Sequence, residues 1–219
     1  MRQRRPKNLE EKMEKLQEYL ISDPEAQRGK WRSDFPLTGS ADRRLFLEIG
    51  SGKGRFINES ALGNREDLYV GFEGRDAVMI RALEKVRNNG LDNLKLCECY
   101  IKDLDIFFDD DELDGIYLNF IDPWPKDRHK KRRLTSKRYL DGYAACLKQN
   151  GFLKIKTDND TLFRYSVEQF ELHDAFEISE ITEDLHNSKY NKDNIMTEYE
   201  LKFFSSEKKI KYIHAVIKK

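Results

Sequence analysis

Acidic side chains stand at or just beyond the ends of four apolar segments that have the character of strands. They are Glu48, Glu73, Asp122 and Asp158. The carboxyl ends of parallel strands meet at one edge of a sheet, where such sheets bind ligands. Solvated surface acids have no reason to prefer strand ends, so the pattern predicts one binding site.

A glycine-rich turn, Glu48-Ile-Gly-Ser-Gly-Lys-Gly54, includes Gly50 and Gly52 and joins a predicted strand to a predicted helix. Glu73 follows Gly50 by 23 positions, where an acid binds both hydroxyls of a ribose. Dinucleotides and S-adenosylmethionine both use this layout. The dinucleotide fingerprint needs a glycine where Arg55 stands. Glu48 disfavours a pyrophosphate and suits an amino group or a sulfonium. A tight turn without a ligand is the alternative.

The segment Asn119-Phe-Ile-Asp-Pro-Trp-Pro125 follows the fourth predicted strand. Its two prolines stiffen the backbone and present the Asp122 carboxylate and the Trp124 ring in a fixed pose. An acid beside an aromatic ring suits a planar base, because the carboxylate accepts base N–H groups. A purely structural turn with a packed tryptophan is the alternative.

A basic run follows directly, from Lys126 to Arg133. Its position beside the acid-aromatic turn favours contact with phosphates over a merely solvated surface. The basic residues near the N-terminus either add contacts or form a disordered tail; these are Arg2, Arg4, Arg5 and Lys7.

Strands and helices alternate along most of the chain, which predicts a doubly wound, mostly parallel sheet. One predicted helix has Asn8 as its cap and extends through Leu20. A second has Asp76 as its cap, and a third extends from Ser136 to Gln149. We interpret residues 1–42 as an N-terminal basic and helical extension and residues 43–219 as the main domain.

The composition excludes several classes of protein. The 219 residues carry 40 basic and 40 acidic side chains, and no charge-free run is long enough for a membrane span. Three cysteines are too few for a disulfide framework, which favours the reducing cytoplasm. No CxxC or HExxH motif occurs, so we expect no metal site.

The sequence resembles the bacterial tRNA (guanine-N7-)-methyltransferase family over about residues 45–217. The segments that carry the resemblance are LEIGSGKGRF (47–56), GFE (71–73), YLNFIDPWPKDRHKKRRL (117–134), KTDN (156–159), DLHNS (184–188) and NIMTEYE (194–200). Many methyltransferases share the glycine loop. The DPWPK-basic run combined with TEYE is highly specific.

The resemblance implies a Rossmann-like class I methyltransferase fold, with a seven-stranded sheet whose last strand is antiparallel. It implies transfer of a methyl group from S-adenosylmethionine to N7 of guanine 46, in the variable loop of tRNA. Asp122 matches the catalytic and cofactor-contacting acid, and Glu48 and Glu73 match other cofactor-binding acids. Further matches are to the substrate-binding positions Lys126, Asp158, Thr197, Glu198, Tyr199 and Glu200, and to the RNA-contacting run Arg128, His129, Lys130, Lys131, Arg132 and Arg133.

Three positions depart from the family pattern: Ile121, Asp127 and Tyr100. Tyr100 stands where an acid commonly meets the adenine, and we expect a backbone or ring contact there instead. Because the purine N–H edge needs acceptors, we expect Asp122, Asp158 and Glu200 to orient it.

Rival hypotheses for the function are a nucleotide-dependent oxidoreductase, a non-catalytic RNA-binding module and a methyltransferase for proteins or small molecules. Neither a monomer nor a homodimer is favoured.

Overall fold

Seven strands form one sheet in the order β3-β2-β1-β4-β5-β7-β6 in the computed structural model, which describes residues 8–36, 42–203 and 208–219. The predicted contacts of Arg2, Arg4, Arg5 and Lys7 lie outside the described residues. Six strands are parallel and β7 runs antiparallel to β5 and β6. The strands are β1 (Leu45–Ile49), β2 (Leu68–Glu73), β3 (Leu94–Glu98), β4 (Leu113–Asn119), β5 (Leu147–Thr157), β6 (Phe176–Thr182) and β7 (Lys211–Ile217).

Helices cover both faces of the sheet, so the prediction of a doubly wound α/β fold is confirmed. They are α1 (Leu9–Glu14), α2 (Arg55–Gly63), α3 (Asp76–Asn88), α4 (Lys137–Cys146), α5 (Asp160–Glu171) and α6 (Glu198–Phe203). Helices α2 and α3 share one apolar core with the sheet, and α4 and α5 share the other. Every residue of β1 is buried, as a strand covered on both faces requires.

Strand order reverses between β1 and β4, because β2 and β3 lie on one side of β1 and β4 and β5 on the other. Loops that leave neighbouring strands in opposite directions open a crevice at such a point. The fold thus brings the ends of β1, β2 and β4 to one place. In the described part of the chain, no helix is long and apolar enough to cross a membrane.

The first helix begins after Asn8, the predicted cap position, but the predicted length is wrong. It ends at Glu14, and a short 3₁₀ turn follows at Gln17–Tyr19. Asn8 has a φ of 57° and its side chain makes no capping hydrogen bond. Leu20 forms a parallel bridge with Leu96 of β3, and this extended pairing competes with helical geometry.

Two other predicted helix limits also need correction. Helix α4 ends at Cys146 and not at Gln149, because Leu147 already pairs with Leu113 of β4. Asp76 is the first residue of α3, and Arg75 occupies the cap position. Propensity alone does not reveal where sheet pairing interrupts a helix.

Candidate active site

A cleft lies at the carboxyl ends of β1, β2 and β4. It consists of two adjoining cavities of about 600 and 340 Å³, within the size range of small-molecule sites. The first holds Asp122, Tyr100 and Trp124, and the second holds Glu48 and Gly52. The residues common to both are Gly50, Glu73, Arg75, Asn119 and Phe120.

The glycine loop forms one wall of this cleft. Gly50 has a φ of 79°, and a Cβ atom there would meet no atom of the described chain within 4 Å. Its backbone is therefore open to the cleft. Glycine is required at position 54, where φ is 78°, for a different reason: a Cβ atom there would lie 2.4 Å from the Ala82 Cβ. Only glycine lets the start of α2 pack this closely against α3.

Glu48 is a buried acid whose two carboxylate oxygens differ in their hydrogen bonds. Its side chain is 2% exposed, and Asn119 Nδ2 donates to Oε1 at 2.7 Å. Oε2 has no hydrogen-bond partner among the described residues. Burial raises the pKa of Glu48 to about 7, although Asn119 and Lys156 oppose the shift. An unpaired buried carboxylate oxygen is costly, and the amino group of a bound ligand would satisfy it.

Glu73 is held in place by backbone donors. Gly52 N donates to Oε2 at 3.0 Å and Arg75 N to Oε1 at 3.1 Å. The Tyr100 ring lies against Gly74, where a Cβ atom would come within 2.3 Å of Cε1. Tyr100 is 69% exposed and presents its ring to the first cavity. Each Glu73 oxygen keeps a lone pair for a ribose hydroxyl.

Asp122 lies in a turn with two unusual backbone conformations. Phe120 and Trp124 both have positive φ, at 52° and 41°, which side chains other than glycine rarely adopt. Asp122 itself is exposed and lines the first cavity. Strained conformations of this kind persist where the surroundings impose them, and the turn fixes the direction of the Asp122 carboxylate.

Arg133 is the residue that holds this turn. It is 3% exposed, and its guanidinium donates to the carbonyl oxygens of Pro123 at 3.2 Å and Trp124 at 3.1 Å. It also lies 4.4 Å from the centre of the Tyr165 ring. The structure therefore places Arg133 beneath the turn, with donors on its backbone carbonyls, and not on the exposed basic surface.

The remaining basic run is on the surface, in a 3₁₀ helix over Asp127–Arg132. His129 is half-buried, and its ring centre lies 5.7 Å from that of Trp124, with the two rings nearly perpendicular. The Arg132 guanidinium lies 5.1 Å from the same ring and lines the first cavity. The exposed bases are Lys126, Arg128, Lys130, Lys131 and Arg132. A positive surface therefore borders the Asp122 side of the cleft.

The segment Thr197–Glu200 forms a capping box at the start of α6. Glu200 N donates to Thr197 Oγ1 at 3.1 Å, and Thr197 N donates to Glu200 Oε2 at 2.9 Å. This reciprocal pair begins the helix. Glu198 accepts from Arg55 N at 3.2 Å and pairs with Lys85. The TEYE sequence thus ties α6 to the glycine loop and to α3.

Glu200 lies in a closed polar network and not on the cleft wall. Its Oε2 is 2.6 Å from Lys156 Nζ, and its Oε1 accepts from Asn194 at 3.2 Å and faces His186 Nε2 at 3.3 Å. It is 1% exposed. Burial raises the pKa of Glu200, but the Lys156 ammonium outweighs it and leaves the pKa lowered. Glu200 is therefore not among the residues that line the two cavities, and its contact with the purine stays a prediction.

Asp158 lies beside α6. Tyr199 Oη donates to its Oδ2 at 2.7 Å, and Lys208 pairs with the same oxygen. Partial burial raises the pKa of Asp158, but the bonds from Lys208 and Tyr199 outweigh it and leave the pKa lowered. Asp158 thus stays ionised.

Sequence reasoning assigned no role to Asn119 or Arg75. Asn119 fixes Glu48, Arg75 fixes Glu73, and both line the two cavities. Only their position in the sequence could have identified them, since Asn119 ends β4 and Arg75 lies two residues beyond β2. In the described residues no group of three His, Cys, Asp or Glu side chains is arranged to hold a metal ion.

The sheet order, the antiparallel β7 and the acid-and-glycine cleft at the reversal point define a class I methyltransferase. Solved structures agree on the fold. The structure of the 16S rRNA methyltransferase KamB superposes with a TM-score of 0.59 over 80% of this chain and 88% of that chain, at 13% identity. A family model described as "Putative methyltransferase" matches residues 42–213.

Curated relatives are much closer in sequence. The tRNA (guanine-N(7)-)-methyltransferase of Geobacillus kaustophilus is 41% identical over 99% of this chain and 97% of its own length. The enzyme of that name from Streptococcus thermophilus is 41% identical over the whole of both chains. This chain belongs to the tRNA (guanine-N(7)-)-methyltransferase family, and an enzyme of that family is neither an oxidoreductase nor a non-catalytic RNA-binding module.

Proposed function

We propose that this enzyme transfers the methyl group of S-adenosylmethionine to N7 of guanine 46, in the variable loop of tRNA. The observation that carries the proposal is a Glu48 oxygen without a hydrogen-bond partner in the described part of the chain. It lies beside the open glycine loop, in a cleft that extends to Asp122. A ligand with an amino group, a ribose and an adenine would meet Glu48, Glu73 and Tyr100 in turn. The relatives' names support tRNA and N7. With tRNA as substrate, we place the enzyme in the cytoplasm.

The residues act by holding and orienting the reactants. S-adenosylmethionine supplies a methyl group that its sulfonium makes electrophilic. N7 of neutral guanine has a lone pair and no proton, so no general base is needed. In-line positioning of two reactants contributes up to about 7–11 kcal/mol. Asp122 orients the purine through its N–H edge and favours the positive charge that moves onto it.

The decisive experiment is labelled methyl transfer into unmodified tRNA, followed by nucleoside analysis. We expect label in 7-methylguanosine at position 46, and none in a matched transcript with adenine at that position. Label in another nucleoside, or equal labelling of both transcripts, would contradict the proposal. Replacing labelled S-adenosylmethionine by other labelled methyl donors tests the cofactor separately.

Cofactor affinity should depend on pH through Glu48. Its pKa is raised to about 7 in the free protein, and only the ionised form attracts an ammonium group. We expect the affinity for S-adenosylmethionine to rise roughly tenfold between pH 5.5 and pH 7, as Glu48 loses its proton. Calorimetry measures this directly. Glu48→Gln should bind weakly with no such rise, and an equal rise in that variant would remove Glu48 from the amino-group site.

Salt dependence should separate the exposed bases from Arg133. Exchanging Arg128, Lys130, Lys131 and Arg132 for Gln should weaken tRNA binding and lower the slope of log affinity against log salt by about 0.7–0.9 per lost phosphate contact. Arg133→Lys should leave that slope intact and slow methyl transfer, because lysine cannot reproduce the two-carbonyl contact. An unchanged slope in the fourfold variant would make the run a solvated surface.

A further inference from the structure

Three aromatic rings form a row, and two of them, Phe120 and Tyr199, line the second cavity. The centres of the Phe120 and Tyr199 rings lie 4.7 Å apart, and those of Tyr199 and Phe203 are also 4.7 Å apart. Phe120 follows β4, whereas the other two lie four residues apart on α6. Tyr199 is 36% exposed. We call Phe120, Tyr199 and Phe203 the aromatic row.

The row reaches the reacting end of the cleft through Phe120. This residue lines both cavities, and Asp122 lines the first. Its φ of 52° is a conformation that a bulky side chain adopts only when the surrounding structure imposes it. The turn that fixes Asp122 therefore also sets the position of the Phe120 ring.

Positive charge and a fixed hydroxyl accompany the rings. Lys208 Nζ lies 5.9 Å from the centres of both the Tyr199 and Phe203 rings, and Lys202 Nζ lies 5.2 Å from that of Phe203. The Tyr199 hydroxyl donates to Asp158 Oδ2 at 2.7 Å, which fixes the ring. Of the three rings, Tyr199 is exposed and Phe120 and Phe203 are half-buried. Accessible rings interleaved with lysines form a surface that binds unpaired nucleotides, by stacking on bases and attracting phosphates.

Core packing accounts for only part of this arrangement. Phe120 packs against the small apolar cluster of Leu185, Ile210 and Tyr212 and is half-buried. That cluster does not include Tyr199, whose ring is exposed. The basic run borders the first cavity and the aromatic row borders the second, so an RNA strand that enters the cleft meets both.

We propose that the aromatic row is a nucleobase-stacking surface: Phe120 stacks on the target guanine, and Tyr199 and Phe203 support the adjoining nucleotide. The inference rests on the proposed function and adds the residues that hold the base. A planar purine on Phe120 would present its edge to Asp122. The recognised chemistry is an unstacked RNA base with its phosphate.

The test compares Phe120→Leu, Phe120→Tyr and Tyr199→Leu in single-turnover methyl transfer at a series of tRNA concentrations. Stacking on one aromatic ring corresponds to about a 5- to 150-fold effect. For the Leu variants we expect a loss of that size in the single-turnover rate constant divided by the tRNA concentration at half-saturation. For Phe120→Tyr we expect transfer close to the wild-type rate. Calorimetric affinity for S-adenosylmethionine should stay within about twofold.

Leu201→Ala is the matched control, because Leu201 is an exposed apolar residue of α6, 46% accessible, outside the row. It should leave every readout unchanged. Thermal unfolding identifies a Phe120 variant that fails to fold, and exposed Tyr199 then carries the test. Wild-type transfer by folded Leu variants would overturn the stacking proposal and point to a protein partner for the row. Absence of tRNA methylation by the wild-type enzyme would instead overturn the proposed function.

Discussion

Asp122→Asn should slow methyl transfer by about 30- to 1,000-fold, or about 2–4 kcal/mol, the scale of removing one preorganised electrostatic group. The variant keeps the size of the side chain and one acceptor but loses the charge. It also places an amide donor where the purine's own N–H groups point. Binding of tRNA should stay close to normal, because the exposed bases beside the cleft supply most of that affinity.

Single-turnover methyl transfer, measured beside the tRNA dissociation constant, checks this result. The pH profile adds a second criterion. If Asp122 were a general base, the rate would fall at low pH with a limb that reports its pKa, and Asp122→Asn would abolish that limb. N7 has no proton to surrender, so we expect the wild-type profile to show no such limb. Transfer at the wild-type rate would show that Asp122 is only a turn residue.

Lys156→Met should destabilise the fold by about 3–5 kcal/mol, the usual cost of leaving one charge of a buried pair uncompensated. The side chains of Lys156 and Glu200 are 5% and 0% exposed. Lys156 also donates to Ile195 O at 2.9 Å, so its loss frees a carbonyl. Denaturant unfolding at neutral pH measures the effect.

The sign of the pH dependence distinguishes a buried charge from lost packing. Without Lys156, burial would raise the pKa of Glu200 above its unfolded value, and the deficit should shrink as the pH falls toward about 4.3. Lys137→Ala is the control, because the Lys137 and Asp141 side chains are 76% and 51% exposed. It should cost at most about 1 kcal/mol. A pH-independent deficit in Lys156→Met would contradict the argument.

The sequence predicted the layers of the fold well because its strands are apolar runs separated by glycine, asparagine and helical periodicity. It predicted helix ends poorly. Leu20 fits a helical face, yet it pairs with Leu96, which is 76 positions away in the chain. Leu147 fits the end of α4, yet it begins β5. Local patterns carry no record of such distant partners.

In the candidate site, too, some features could be predicted from local sequence and others could not. Glu48, Glu73 and Asp122 follow strand ends, and strand ends are visible in the sequence. Arg133 and Glu200 fall within motifs that the sequence marks as functional, yet both are buried and bond to the protein itself. Only the three-dimensional structure separates a charged residue that faces a ligand from one that holds the residues facing it.

The segment over residues 8–36 has a consequence for self-association. Ile21 N donates to Leu96 O at 2.9 Å, so it occupies a backbone acceptor on β3, the outermost strand on that side of the sheet. Trp31 adds a ring stacked 5.0 Å from Phe108. An uncovered outer strand is a template for pairing with another chain. Loss of this segment would therefore uncover the outer edge of β3 as well as part of the core, and we expect aggregation of the shortened protein.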